Sequence, residues 1–407
     1  MDSLCPGNKE YTLILQAVAN SLFGHSYAID GQGADWQAVL DESVKQSVCY
    51  LVYDGIKDKS IIPKEVYASW FKYMYIYARD NAAVNLSHGY LDGLMNSHGI
   101  PYCIFKGMAS EFYYPNPKLR AMGDVDFAVP KERFEEASRL LAQEGFEMSA
   151  EEHICHRVFK KGRVHLELHF EPAGMPEGKS REIAEEYFAD LFDGTSHDTL
   201  EGVSFRNPSR FHHGLVMLLH TYHHLLSEGI GLRHLCDWAV FVNSFTDEEF
   251  CEIFRERLER IGLWKFARVL SATARDRIGL PPREWIGNID SGLTADLIQD
   301  IFEGGNFGKK DTSRVQEGAM ISNRGKDGVK GSKLLQLIRV KNEDAARNHS
   351  AFRNRALKPF GFAFLGIRYC FRVITGKRSA VDIKSLSDNA EKRKRIYSQF
   401  ELFERGK

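Results

Sequence analysis

The chain has 407 residues, of which 43% are hydrophobic and 27% charged, with 54 Lys+Arg against 55 Asp+Glu and a formal net charge of -1. Such a length suggests two to three domains of about 150 residues each, and the composition excludes a wholly disordered chain, a collagen-like repeat and a disulfide miniprotein. The neutrality conceals a division, because residues 303–407 hold 24 Lys+Arg and 11 Asp+Glu while residues 1–302 hold 30 and 44; an acidic body with a basic tail points to an anionic partner or to mutual neutralisation.

From Tyr11 to about Ser97 apolar residues recur at three and four positions, as in Val66, Trp70, Met74 and Tyr77, which predicts helices. Pro63 suits the first turn of one that runs to about His98. The period then changes. Pro101–Phe105 is a short run of strand formers between Gly99 and Gly107, and Gly123–Pro130 alternates polar and apolar residues. Lys131–Glu144 reads as an amphipathic helix closed by Gly145. His156–Lys161 and Arg163–Phe170 flank Gly162 as the arms of a hairpin. After Asn207 the pattern is helical to about Ile301. The Gly/Lys/Ser/Asn-rich stretch 304–332 is expected to be a mobile loop, followed by a basic helical tail broken at Pro359. There is no internal repeat.

The seven cysteines show no C-x-x-C and no regular spacing, so neither a zinc ribbon nor a disulfide framework is expected. The N-terminus lacks a basic segment followed by an apolar core, the mark of a signal peptide. The apolar stretch Pro359–Ile367 has about half of the roughly 20 residues that span a bilayer. A soluble, cytoplasmic protein without integral membrane association is the expectation.

In a strand, residues i and i+2 share a face, so Asp124 and Asp126 project together while Val125 and Phe127 enter a core. Adjacent carboxylates repel unless a cation lies between them, and hard oxygen donors suit Mg²⁺; the plain alternative is a solvated edge strand. Two neighbours add context. Phe105-Lys106-Gly107 runs from a strand into a glycine and then a helix, an arrangement that presents amides to phosphate. In His165–Phe170 the alternation sets His165, Glu167 and His169 on one face, and a third carboxylate is what a two-metal site needs.

These three elements, in this order, resemble the nucleotidyltransferase superfamily built on the DNA polymerase beta catalytic core. Phe105-Lys-Gly-Met, Tyr113-Tyr-Pro-Asn-Pro, Leu119-Arg-Ala-Met-Gly-Asp-Val-Asp-Phe127 and Gly229-Ile-Gly-Leu-Arg-His-Leu-Cys-Asp-Trp238 narrow the likeness to the bacterial uncharacterised nucleotidyltransferase family. The resemblance implies an α+β fold: a small mixed sheet with helices at 99–206, a helical region at 1–98, a helical domain at 207–302, and a flexible basic loop and helical tail at 303–407. It implies that Asp124, Asp126 and Glu167 are catalytic carboxylates and ligands of two Mg²⁺ ions, with Mn²⁺ as a substitute. Lys106, Gly107, Ser110 and Arg120 would meet the nucleotide, an NTP and most simply ATP. Arg120 reads equally as a partner of the neighbouring aspartates, and Ser110 as a solvent-facing residue. The wider superfamily has Gly-Gly or Gly-Ser about ten residues before the first Asp; here Lys-Gly replaces it with 16 residues between Gly107 and Asp124, so Tyr113–Ala121 must loop beside the site.

Helix 209–227 carries His212, His213, His220, His223 and His224. His220 and His224, one turn apart, either pack, share a metal, or contact nucleotide or acceptor, and the absence of an intervening Glu excludes an H-E-x-x-H protease. Arg233 and Asp237 have the i, i+4 spacing of a helix-face ion pair, with a nucleotide contact as the other reading of Arg233. His153-Ile-Cys-His156 is too compressed for a common zinc pattern and reads as incidental. In the tail, Arg347, Arg353, Arg355, Lys358, Arg368 and Arg372 alternate with aromatic residues, either an RNA or anionic-membrane surface or a stripe packed on the body. The functional expectation is transfer of an NMP from an NTP to an acceptor hydroxyl, the acceptor being a small molecule, a protein or an RNA. Its rivals are a non-catalytic anion- or RNA-binding module and a His-dependent phosphohydrolase. The sequence does not specify the oligomeric state.

Overall fold

The computed structural model describes residues 8–149, 155–310, 314–322, 357, 360, 361, 363–365, 367 and 383–403. Asn8 opens α1 (Lys9–Phe23) by accepting from the Tyr11 amide, and Gly24 ends it in the left-handed region at φ 68°. Asp35 caps α2 (Trp36–Lys45) through the Ala38 amide. After α3 (Cys49–Gly55) comes the 34-residue α4 (Lys64–Ser97), about 51 Å long at about 1.5 Å per residue. Its first half buries Trp70, whose indole donates to the Cys49 carbonyl at 3.2 Å. The second half sends Val84, Leu91 and Met95 into a different core, that of the sheet.

The sheet contains β1 (Cys103–Ile104), β2 (Val125–Ala128), β3 (Glu147–Met148), β4 (His156–Lys161) and β5 (Val164–His169), in the spatial order β1-β2-β5-β4-β3. Only β2 and β5 run parallel; the other pairs are antiparallel. Between β1 and β2 lie the single turn α5 (Met108–Glu111) and the expected loop, and between β2 and β3 lies α6 (Phe134–Gln143). Val125 and Phe127 are fully buried in the sheet core with Phe134, Ala137 and Leu141 of α6. The expected hairpin pairs Lys161 with Val164, and Gly162 supplies the positive φ of 60° that its tight turn requires.

Next come α7 (Lys179–Phe188), the hairpin β6 (Ser196–Leu200) and β7 (Val203–Asn207), and the helices α8 (Arg210–Leu226), α9 (Leu232–Asn243), α10 (Asp247–Phe250), α11 (Glu256–Ile261), α12 (Trp264–Ile278) and α13 (Ser291–Gly304). Apolar residues of α1–α3 and of α8–α13 form one continuous core. The fold is α+β, a mixed five-stranded sheet flanked by helices. Among the described residues no helix is long and apolar enough to cross a membrane.

One expectation is corrected. Within 304–332, residues 306–308 form a 3₁₀ turn and Arg314–Ser322 form a helix, α14, packed against α15 (Ile383–Ser398). Residues 323–332 lie outside the described residues. The composition misleads because ion pairs anchor this segment: Arg314 meets Asp300 at 2.9 Å and Glu317 meets Arg393 at 3.0 Å, all four nearly inaccessible to solvent. Gly318 is a close-packing residue, since a Cβ there would lie 2.3 Å from the Leu226 carbonyl oxygen. The tail cations Arg347, Arg353, Arg355, Lys358, Arg368 and Arg372 lie outside the described residues.

Candidate active site

The parallel pairing of β2 with β5 sets Asp126 directly opposite Glu167. β1 is tied to β2 by the Phe105 amide, which donates to the Asp126 carbonyl at 2.9 Å, so Lys106 and Gly107 emerge beside these carboxylates. Gly107 has φ 60°, and a Cβ there would lie 2.6 Å from His88 Nε2. Lys106, Gly107, Ser110, Arg120, Asp124, Asp126, Glu167, His220, His224 and Arg233 all line one cavity of about 380 Å³, within the usual range of ligand sites. Ser110 is buried rather than solvent-facing, which corrects the plain reading of that residue.

Lys106 Nζ is 2.9 Å from Asp126 Oδ1. Burial works against the ammonium charge, but Asp126, Asp124 and Glu167 outweigh it and hold the Lys106 pKa above its ordinary value. Burial likewise opposes the Asp126 charge, yet Lys106 and His169 keep that carboxyl well below the usual range. Glu167 differs: burial pushes it up to about 7 against the pull of His169, with Asp126 and Asp124 adding to the rise. Asp124 makes no ion pair or hydrogen bond among the described residues. The turn after Gly107 keeps its amides for itself, those of Ala109, Ser110 and Glu111 donating to Lys106 and Gly107 carbonyls. The Met108 amide faces His88 Nε2 at 3.5 Å. Positive charge at this end of the cavity therefore comes from the Lys106 ammonium.

Arg120 and Asp237 form a pair separated by 117 positions, with Nε to Oδ1 at 2.8 Å and Nη2 to Oδ2 at 2.9 Å. Tyr114 donates to the same carboxylate at 2.7 Å. Two expectations change in consequence. Arg120 does not pair with Asp124 or Asp126, and Asp237 is taken by Arg120 rather than by Arg233. Arg233 donates to the Ala121 carbonyl at 3.1 Å and has no carboxylate within ion-pair distance among the described residues, while its Nε is buried without a partner. Burial and the nearby Arg120 lower its pKa. A guanidinium left without an anion in a cavity wall is a ready anion receptor.

On the opposite wall, Lys106 donates to His220 Nε2 at 2.8 Å. His224 Nε2 lies 2.8 Å from the same nitrogen, and its Nδ1 lies 2.7 Å from Glu228 Oε1. Burial and then Lys106 hold His220 well below its ordinary pKa, so it is a neutral acceptor. Phe307 packs edge-on against His224 and His234 and under Arg233. Among the described residues neither His220 nor His224 joins a group of three potential metal ligands.

Sequence reasoning passed over His169, although alternation had set it on the Glu167 face; its Nε2 lies 3.3 Å from Asp126 Oδ1 and 3.5 Å from Glu167 Oε2. Glu228 and Phe307 gave no signal of their own, and Tyr114 only its place in the Tyr113-Tyr-Pro-Asn-Pro motif. Asp126, Glu167 and His169 place one ligating atom each within 4.8 Å of one another, and Asp124 adds a further oxygen donor from the same wall. Lys106 and His169 both engage Asp126 through Oδ1. A donor set dominated by carboxylate oxygens fits Mg²⁺ or Mn²⁺.

Comparison with solved structures finds similarity to the antibiotic-resistance factor ANT(2'')-Ia in its solution structure, at 16% sequence identity and a TM-score of 0.30, covering 49% of this chain and 94% of that one. No curated protein matches. A family model described as uncharacterised nucleotidyltransferase matches residues 32–279, a span that takes in all the carboxylates and cations of the cavity, and the chain belongs to that family.

Proposed function

We propose that this protein is a Mg²⁺-dependent nucleotidyltransferase: the oxygen of an acceptor hydroxyl bonds to the α-phosphorus of an NTP, most simply ATP, the bond to the bridging oxygen breaks, and pyrophosphate leaves. The observation that carries this reading is the in-register pair Asp126 and Glu167, with Asp124, Lys106 and Arg233 around the same cavity. Asp124, Asp126 and Glu167 would hold the metal, whose positive charge would offset the negative charge of the triphosphate and ease ionisation of the acceptor.

The chain's own groups have separable tasks. The Lys106 ammonium and the unpaired Arg233 guanidinium bind phosphate oxygens and align the chain of phosphates for in-line displacement. Arg120 does not reach for phosphate; it holds Asp237, and with Tyr114 it fixes α9 against the loop before β2. Glu167, in the wall of the same cavity, would bind or help deprotonate the acceptor hydroxyl. His220 accepts from Lys106 and so directs the ammonium between the carboxylates and the cavity.

The test is equilibrium binding of each NTP at graded Mg²⁺ for the wild type and Asp124→Asn, followed by pyrophosphate release with small-molecule, protein and RNA acceptors. Equal metal dependence in the two proteins would place the metal elsewhere. Binding that is salt-sensitive, independent of Mg²⁺ and unchanged by loss of both aspartates would instead identify an anion-binding module.

A further inference from the structure

Cys155-His156 matches no familiar metal pattern in sequence, yet strand pairing changes its surroundings. β4 and β5 set His156 directly opposite His169, with ring centroids 4.7 Å apart. Cys155 is fixed one residue before β4 by the Phe170 amide, which donates to its carbonyl at 3.2 Å. One ligating atom from each of Cys155, His156 and His169 lies within 4.8 Å of the other two. Cys155 Sγ and His156 Nδ1 are 3.5 Å apart. A tetrahedral zinc ion with bonds of about 2.3 Å to sulfur and about 2.0–2.1 Å to nitrogen spaces those two atoms by about 3.5 Å.

A second, independent observation comes from His169, which is 3% exposed. Its Nε2 faces Asp126 and Glu167, whereas its Nδ1 is buried without a well-formed hydrogen bond and has the Cys155 thiol as its polar neighbour. A neutral imidazole that donates Nε2–H to a carboxylate carries a lone pair on Nδ1, so metal binding takes the place of any proton on that nitrogen. Carboxylate on one ring nitrogen and metal on the other is the usual surrounding of a metal-bound histidine, and it fixes the tautomer.

We propose that Cys155, His156 and His169 bind one Zn²⁺ ion through the Cys155 thiolate and two imidazole nitrogens, that of His169 being Nδ1. The fourth position of the tetrahedron stays open. Sulfur and nitrogen donors separate this centre from the oxygen donors on the other side of the His169 ring, which select Mg²⁺. Binding releases the thiol proton and the Nδ1 proton that Asp126, Cys155 and Glu167 favour on His169, and it holds His169 Nε2–H on Asp126, so the three are positioning residues for that carboxylate. The inference does not depend on nucleotidyl transfer.

The experiment titrates the full chain, freed of metal by a chelator and kept reduced, with Co²⁺ as a spectroscopic stand-in for Zn²⁺. One equivalent should produce a thiolate-to-cobalt charge-transfer band and tetrahedral visible absorption, and one equivalent of Zn²⁺ should abolish both. Cys155→Ser should lose the charge-transfer band, and His156→Gln should weaken cobalt binding at least tenfold, with circular dichroism showing both variants folded. Asp124→Asn should retain the full spectrum. A wild type that shows no such band, a band that survives Cys155→Ser, or one that disappears in Asp124→Asn overturns the proposal.

Discussion

Lys106 places its ammonium 2.9 Å from Oδ1 of the inaccessible Asp126. The chain thus carries its own counter-ion at one of the carboxylates proposed to hold a metal. Removing one partner of a buried pair leaves an uncompensated charge and costs about 3–5 kcal/mol; Lys106 is partly exposed, so the lower end applies. Lys106→Met should therefore lower stability in urea by about 3 kcal/mol without Mg²⁺. Added Mg²⁺ should restore more stability to the variant than to the wild type, because a divalent cation can replace the missing charge. Equal effects of Mg²⁺ on both proteins would separate Asp126 from the metal.

Asp124 and Glu167 belong to the same cluster but differ in what surrounds them. Asp124 makes no ion pair or hydrogen bond among the described residues, so Asp124→Asn removes negative charge without orphaning a partner. It should leave the unfolding midpoint within about 0.5 kcal/mol of wild type and reduce Mg²⁺-dependent nucleotide affinity or turnover at least about 100-fold, the upper range for loss of a residue that merely supports a metal ligand. Stability and nucleotide binding measured on the same preparation check both halves. A variant that unfolds while keeping its nucleotide affinity would make Asp124 a structural residue.

The Arg120–Asp237 pair tests how the loop before β2 is held. Asp237→Asn should cost about 3 kcal/mol or more, because the bidentate guanidinium of an Arg120 that is 4% exposed loses its counter-ion. Arg120→Met should cost a similar amount by stranding Asp237. The double variant should be less destabilised than the two single losses added together, and the shortfall in a double-mutant cycle measures the coupling. Strict additivity would mean that the two residues act apart.

Local features of the sequence carried the carboxylates. Asp124 and Asp126 follow from a two-residue strand period, Glu167 from the same period in the next hairpin, and Gly162 marked the turn between β4 and β5. Partners distant in sequence had no such signature. Asp237 lies four residues after Arg233, and helix geometry favours that pair, but Arg120 reaches the carboxylate through a loop whose path depends on the whole fold. His156 and His169 are brought opposite one another by hairpin register, while the Asp126 carboxylate beside His169 depends on the crossover that makes β2 parallel to β5. The 304–332 stretch misled for a related reason: Arg314 and Glu317 look like surface charges until Asp300 and Arg393 are packed onto them.

Glu111 offers a pH-dependent test away from the carboxylates proposed to hold a metal. It is 1% exposed, and its Oε2 has no hydrogen-bond partner. Burial pushes its carboxyl from 4.5 up to about 7, against the opposing pull of Arg120 and Asn85. The folded chain therefore keeps a proton that the unfolded chain has already released between about pH 4.5 and 7, and stability falls as pH rises through that window. The penalty is absent below pH 4.5, complete above pH 7 and roughly 3 kcal/mol at most. Glu111→Gln removes the ionisation while keeping the shape of the protonated acid. Its advantage over wild type should be near zero at about pH 4.5 and grow to roughly 2–3 kcal/mol by about pH 8, as read from urea midpoints. Glu167 titrates in the same window in both proteins, so its contribution largely cancels from the difference. A difference that stays constant across the window would show that Glu111 ionises at the same pH in the folded and unfolded chain, the effect of burial being matched by Arg120 and Asn85.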